Sequence, residues 1–177
     1  MGYSHAWRDR GAAPEIAPEA LAIIRPLLAE AHAAGRIQRE YNDPSPPIVE
    51  RDRIIFNGAG ILGYETFHYV TGAARQALLL ATGGGWGYLD AFCKTNRRAY
   101  DGIVQRVLLA LAHSSPSMLV QSDGDPRGEE WREAREWAEA QGLEGLVYHE
   151  RTIVGPLKAA ANARFRIEEA DRVAAGQ

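Results

Sequence analysis

The chain has almost no cysteine. Cys93 is the only one in 177 residues, so an internal disulfide framework is impossible and a reducing compartment is the simplest setting. Long apolar runs are missing too. The longest, Val107 to Ala112, falls far below the roughly 20 residues that a bilayer-spanning helix needs. The opening stretch Met1 to Arg8 lacks the apolar core of a signal peptide, so a cytoplasmic protein with no membrane partner is expected. Excess positive charge is absent as well: the formal charge is -3, which excludes the broad basic field of a bulk, sequence-blind nucleic-acid binder. The histidines His5, His32, His68, His113 and His149 show no ligand spacing, and no Gly-Lys-Ser/Thr follows the glycines at 83–87. Neither a zinc site nor a phosphate loop of the Walker type is therefore indicated, and no metal or cofactor is expected.

What remains is the composition of an ordinary globular chain, 46% apolar and 24% charged, long enough for one sizeable core. Alternation over Tyr3 to Trp7 predicts a strand with Tyr3, His5 and Trp7 on one face. Ala17 to Ala34 reads as a helix opened by Pro18 and stopped by Gly35, with Pro26 set to kink it or mark its true start. Strands are predicted at Arg53 to Asn57 and Tyr64 to Val70, joined through Gly58 to Gly63, with an irregular stretch behind them. The apolar stripe Tyr100, Ile103, Val104, Val107, Leu108 and Leu111 marks a core helix from Asn96 to Ser114. A strand at Met118 to Gln121, a helix opened by Asp125-Pro126 and running to Gly142, and an edge strand over Leu146 to Val154 complete the series. The order predicts an α+β fold, a ferredoxin-like β-α-β-β-α-β antiparallel sheet with an extra C-terminal helix and tail. Residues 1–142 form its core domain and residues 143–177 a strand and helix extension suited to forming a homo-oligomer.

The chemistry-bearing residues cluster around Phe92 to Asp101. Lys94, Arg97 and Arg98 stand at the predicted N-terminus of the core helix, where the macrodipole already contributes positive charge. Two readings account for them. Either they bind an anion together with Thr95, Asn96 and free backbone N–H groups, or Asp90, Asp101 and Glu65 neutralise them in a structural network. Cys93 next to them is either an activated thiol, paired with His5 or His68, or a small core residue. Asn57, Glu65 and Thr66 are polar side chains on predicted strands, and Glu65 is either a base or ligand clamp or a solvated edge carboxylate. Ser122-Asp123-Gly124-Asp125 begins like a calcium loop, but Arg127 stands where an oxygen ligand is wanted, and helix capping explains it better. Residues 83–88 suggest a glycine-rich lid whose Trp86 and Tyr88 could stack on a ring, or a plain surface loop.

Several of these segments resemble a family of short bacteriophage and actinobacterial proteins. Its members look like Met-Gly-Tyr-Thr-His-Tyr-Trp, Phe-Asn-Gly, Gly-His-Glu-Thr-Phe and Phe-Cys-Lys-Thr-Ala-Arg-Lys-Pro-Tyr-Asp. The counterparts here are Met1 to Trp7, Phe56-Asn57-Gly58, Gly63 to Phe67 and Phe92 to Asp101, with Tyr64 in place of the motif's histidine and Ala99 in place of its proline. The resemblance implies a phage or prophage setting and carries no activity with it. The favoured function is binding of a small anionic, nucleotide-like ligand, with sequestration of a host immune nucleotide signal as its purpose. Lys94, Arg97 and Arg98 would hold phosphate beside Thr95 and Asp101, Glu65 and Asn57 would take sugar or base groups, and Tyr3, His5, Trp7 or Trp86 would flank the ring. An enzyme acting on a phosphorylated or glycosidic substrate through Glu65 or Cys93, and a protein-interaction module, are the alternatives.

Overall fold

Strand β1 (Ser4–Asp9) alternates half-buried and buried side chains, so His5, Trp7 and Asp9 face the core while Ser4, Ala6 and Arg8 face outward. The computed structural model describes residues 2–9, 13–82, 90–160 and 162. Within them the chain continues through α1 (Pro18–Ala33), β2 (Ile37–Gln38), β3 (Ile48–Val49), β4 (Arg53–Gly58), β5 (Phe67–Val70), α2 (Gly72–Thr82) and β6 (Asp90–Lys94). It ends with α3 (Asp101–Ser114), β7 (Met118–Ser122), α4 (Arg132–Ala140), β8 (Val147–Tyr148) and β9 (Thr152–Val154).

Five strands form an antiparallel sheet in the order β6-β1-β7-β9-β8, with His5 opposite Cys93 on one side and Ser122 on the other. A second antiparallel sheet is built on β4, which pairs with β2, β3 and β5. The architecture is α+β with an antiparallel sheet, the class expected from the sequence and consistent with a ferredoxin-like layout. The rings of Trp7, Phe67 and Phe56 stack in series, at centroid distances of 4.8 and 4.9 Å, and join the two sheets. Helix α3 lies between the first sheet and the helices α1 and α4, and its residues from Val107 to Ala112 are all buried. An all-round apolar surface suits only such a central position. Each buried Val or Leu there contributes about 1.5–3 kcal/mol relative to exposure.

Several expectations shift. Pro26 lies inside α1 and neither begins nor ends it. Residues 72–82, expected to be irregular, form α2, and the first part of Phe92 to Asp101, read as a helix entry, belongs to the edge strand β6 (Asp90–Lys94). The core helix begins at Asp101 instead of Asn96, because Asn96 (φ 51°) and Arg97 (φ 55°) take left-handed backbone, which a right-handed helix cannot contain. The predicted helix from Asp125 starts later, as a 3₁₀ turn at Glu129–Trp131 running into α4. Residues 147–154 fold as the β8–β9 hairpin, and β9 pairs with β7, so this part of the expected extension completes the main sheet. No helix among the described residues is long and apolar enough to cross a membrane.

Candidate functional site

A histidine on the core face of a strand needs partners, and His5, fully buried, has them on both ring nitrogens. Its Nε2 lies 2.8 Å from Asp101 Oδ1 and its Nδ1 lies 3.2 Å from Ser122 Oγ. Asp101 also accepts from Thr95 Oγ1, and from Gln105 Nε2 at 2.9 Å. Ser122 Oγ accepts from Trp131 Nε1 at 3.3 Å and from the Gly124 N–H at 3.1 Å. The carboxylate accepts throughout, so Nε2 carries a proton, while the Ser122 hydroxyl lies between two acceptors for its single proton, His5 Nδ1 at 3.2 Å and the Tyr3 hydroxyl at 3.5 Å. Ser122, His5 and Asp101 are thus strung together in the sense of a catalytic triad. The serine oxygen, however, is buried and has both lone pairs engaged by N–H donors, which leaves it no nucleophilic pair. The network is a buried clamp joining β1, β7 and the start of α3.

The clamp fixes the connection between β6 and α3. The N–H groups of Thr95 and Asn96 both donate to the Tyr3 carbonyl, at 2.9 and 3.0 Å. Arg97 then folds back over the Tyr3 ring, 4.1 Å from its centroid, and donates from Nε to Glu130 at 2.6 Å. The two left-handed residues are held from both sides, as strained backbone must be. The turn leaves Arg98 exposed at the surface. There it lines an open cleft of about 690 Å³ with Tyr41, Gly60, Ile61, Gly63, Tyr64 and Glu65. That volume falls within the roughly 300–1,000 Å³ of small-molecule sites. Two smaller cavities, of about 240 and 250 Å³, contain none of the expected ligand residues.

The cleft wall is built by the turn after β4. Asn57 is fully buried; its Oδ1 accepts the N–H groups of Gly58 and Tyr64, and its Nδ2 donates to the Tyr64 carbonyl and Thr66 Oγ1. Gly58 and Gly63 approach so closely that a Cβ on either would collide with the other's backbone. Tyr64 is therefore fixed by its main chain, and Lys94 Nζ covers its ring at 5.8 Å from the centroid. Next to it, Glu65 Oε2 accepts the Lys94 N–H at 2.8 Å. Ile61 and Tyr41 complete the rim and are conspicuously open, at 88% and 62% exposure.

The structure sorts the expected site residues into three groups. Glu65 and Arg98 line the cleft and Lys94 lies behind Tyr64; neither Lys94 nor Arg98 has a carboxylate partner among the described residues. Arg97 pairs with Glu130, a carboxylate outside the expected set of Asp90, Asp101 and Glu65. Tyr3, His5, Trp7, Thr95, Asn57 and Asp101 do not line the cleft: the first five are buried and Asp101 is engaged by His5, Thr95 and Gln105. Stacking of Tyr3 or Trp7 on a ligand is thereby corrected, since both rings are already covered by protein. Trp86 lies outside the described residues. Cys93 is buried in the core and bonded to the Glu65 carbonyl and Tyr100; burial pushes its thiol up to about 12, the reverse of activation. Asp123 accepts the Ser4 N–H and Asp125 pairs with Arg127, so the calcium-like loop is spent on structure. No group of His, Cys, Asp and Glu among the described residues is arranged to hold a metal.

Sequence reading missed Tyr41, Ile61 and Tyr64. Tyr41 lies in the turn after β2 and Ile61 in the 3₁₀ turn Gly60–Leu62 after β4, so their meeting depends on how β2 and β4 pair. Compared with protein-family models, curated proteins and solved structures, the chain matches none.

Proposed function

We propose that this is a phage-type protein that binds a small anionic, nucleotide-like ligand in the cleft bounded by Tyr41, Tyr64, Glu65 and Arg98. The observation that carries the reading is the meeting, in one open cleft, of an aromatic wall, a guanidinium without a carboxylate partner and a half-buried carboxylate. The Tyr64 ring supplies a stacking surface held rigid by Asn57 and Lys94. Arg98 takes phosphate oxygens through its planar fork, with Lys94 adding to the local field. Glu65 accepts hydrogen bonds from base or sugar. In the cytoplasm of a bacterial host, tight binding without turnover amounts to sequestering a nucleotide signal.

Thermal denaturation against mono-, di- and cyclic nucleotides tests the reading: at least one class raises the melting temperature, and no shift with any member refutes it. Chromatography of the ligand after incubation separates a binder, which returns it unchanged, from an enzyme using Glu65.

A further inference from the structure

Resting on the nucleotide reading, the geometry points to guanine as the base the cleft selects, with Glu65 as the residue that specifies it. A carboxylate only accepts hydrogen bonds. Glu65 offers its oxygens from a fixed position, because Oε2 is held by the Lys94 N–H at 2.8 Å and the neighbouring Tyr64 backbone is gripped by Asn57. Oε1 has no protein hydrogen bond among the described residues, and Glu65 is a half-exposed residue of the cleft lining. An occupant ring stacked on Tyr64 therefore meets, at its edge, a group that rewards donors and repels lone pairs.

The bases differ sharply on this test. Guanine alone presents two adjacent donors, N1–H and N2–H, on its pairing edge. Adenine places the N1 lone pair beside its amino group, cytosine the N3 lone pair beside its own, and uracil flanks its single N–H with two carbonyls. Each of these sets a lone pair against the carboxylate. Arg98, across the same cleft, is left for the phosphate. Hydrogen bonds to a charged acceptor change affinity by about tenfold or more each, so the selection should be measurable.

Titration calorimetry of the full chain with GMP, IMP, AMP and dGMP tests this. The expected order is GMP and dGMP equal and at least about tenfold tighter than AMP, with IMP between because it lacks the N2 donor. Glu65→Gln, which retains an oxygen for the Lys94 N–H, reduces the GMP-to-AMP preference to within about threefold. Equal binding of GMP and AMP overturns the inference. So does dGMP weaker than GMP without base preference, which would place ribose hydroxyls on Glu65. Absence of binding by all four, with another nucleotide class bound, overturns guanine selection alone; absence of binding by every class overturns the nucleotide reading itself.

Discussion

Asn57 holds Tyr64 by both ends of its peptide: Oδ1 accepts the Tyr64 N–H at 3.2 Å and Nδ2 donates to the Tyr64 carbonyl at 3.2 Å. A buried side chain thereby fixes the backbone of a residue that lines the cleft, and the cleft wall inherits the rigidity of β4.

Asn57→Ala removes four hydrogen bonds and leaves the Gly58 and Tyr64 N–H groups without their acceptor. The expected loss is about 2–4 kcal/mol of stability, measured by urea denaturation. Asn57→Asp keeps both acceptor bonds but not the donors, so it is expected to fall between wild type and alanine.

Arg98→Ala separates binding from folding. The side chain is exposed and has no ion pair among the described residues, so stability should change by less than about 0.5 kcal/mol. Affinity for any phosphorylated ligand should fall at least about tenfold. Arg97→Ala tests the neighbouring cation: its pair with Glu130 is exposed and screened by solvent, and its effect on binding should be smaller than that of Arg98→Ala.

The buried clamp predicts strong coupling between two residues far apart in sequence. In a double-mutant cycle, His5→Ala and Asp101→Ala should each destabilise, with an interaction energy above about 1 kcal/mol. Additive effects would mean that the 2.8 Å contact between them contributes nothing of its own.

Cys93 gives a pH prediction. Burial lifts its thiol from 9.0 to about 12, so the folded chain retains a proton that the unfolded chain releases. This contribution to stability is complete below about pH 9 and declines as pH rises towards 12. Accordingly, a thiol reagent at pH 8 should label Cys93 only after denaturation, and rapid labelling of the native protein would contradict its burial.

How much of this was legible in the sequence depended on whether an element's pattern is local. The alternation of Tyr3, His5 and Trp7 placed them on one face, but periodicity does not say which face is inside. Polar His5 and aromatic Tyr3 thus read as ligand groups, whereas partners from Asp101, Ser122 and Arg97 account for them. The stripe from Ile103 onward located the core helix correctly. Its start was misjudged because the left-handed backbone of Asn96 and Arg97 leaves no mark in the apolar pattern, and β6 before it was hidden because it contains no β-branched residue. Glu65 and Arg98 were identified as polar residues out of place, but their meeting with Tyr41 and Ile61 follows from strand pairing, which no local pattern encodes.

Whether the cleft is a nucleotide site is decided by calorimetric titration of wild type, Tyr64→Ala and Arg98→Ala with a nucleotide panel. Saturable binding of at least one nucleotide by the wild type is expected, weakened about tenfold or more in each variant while both melt close to wild type. Binding that is unchanged in both variants, or absent for every nucleotide in the wild type, would contradict it.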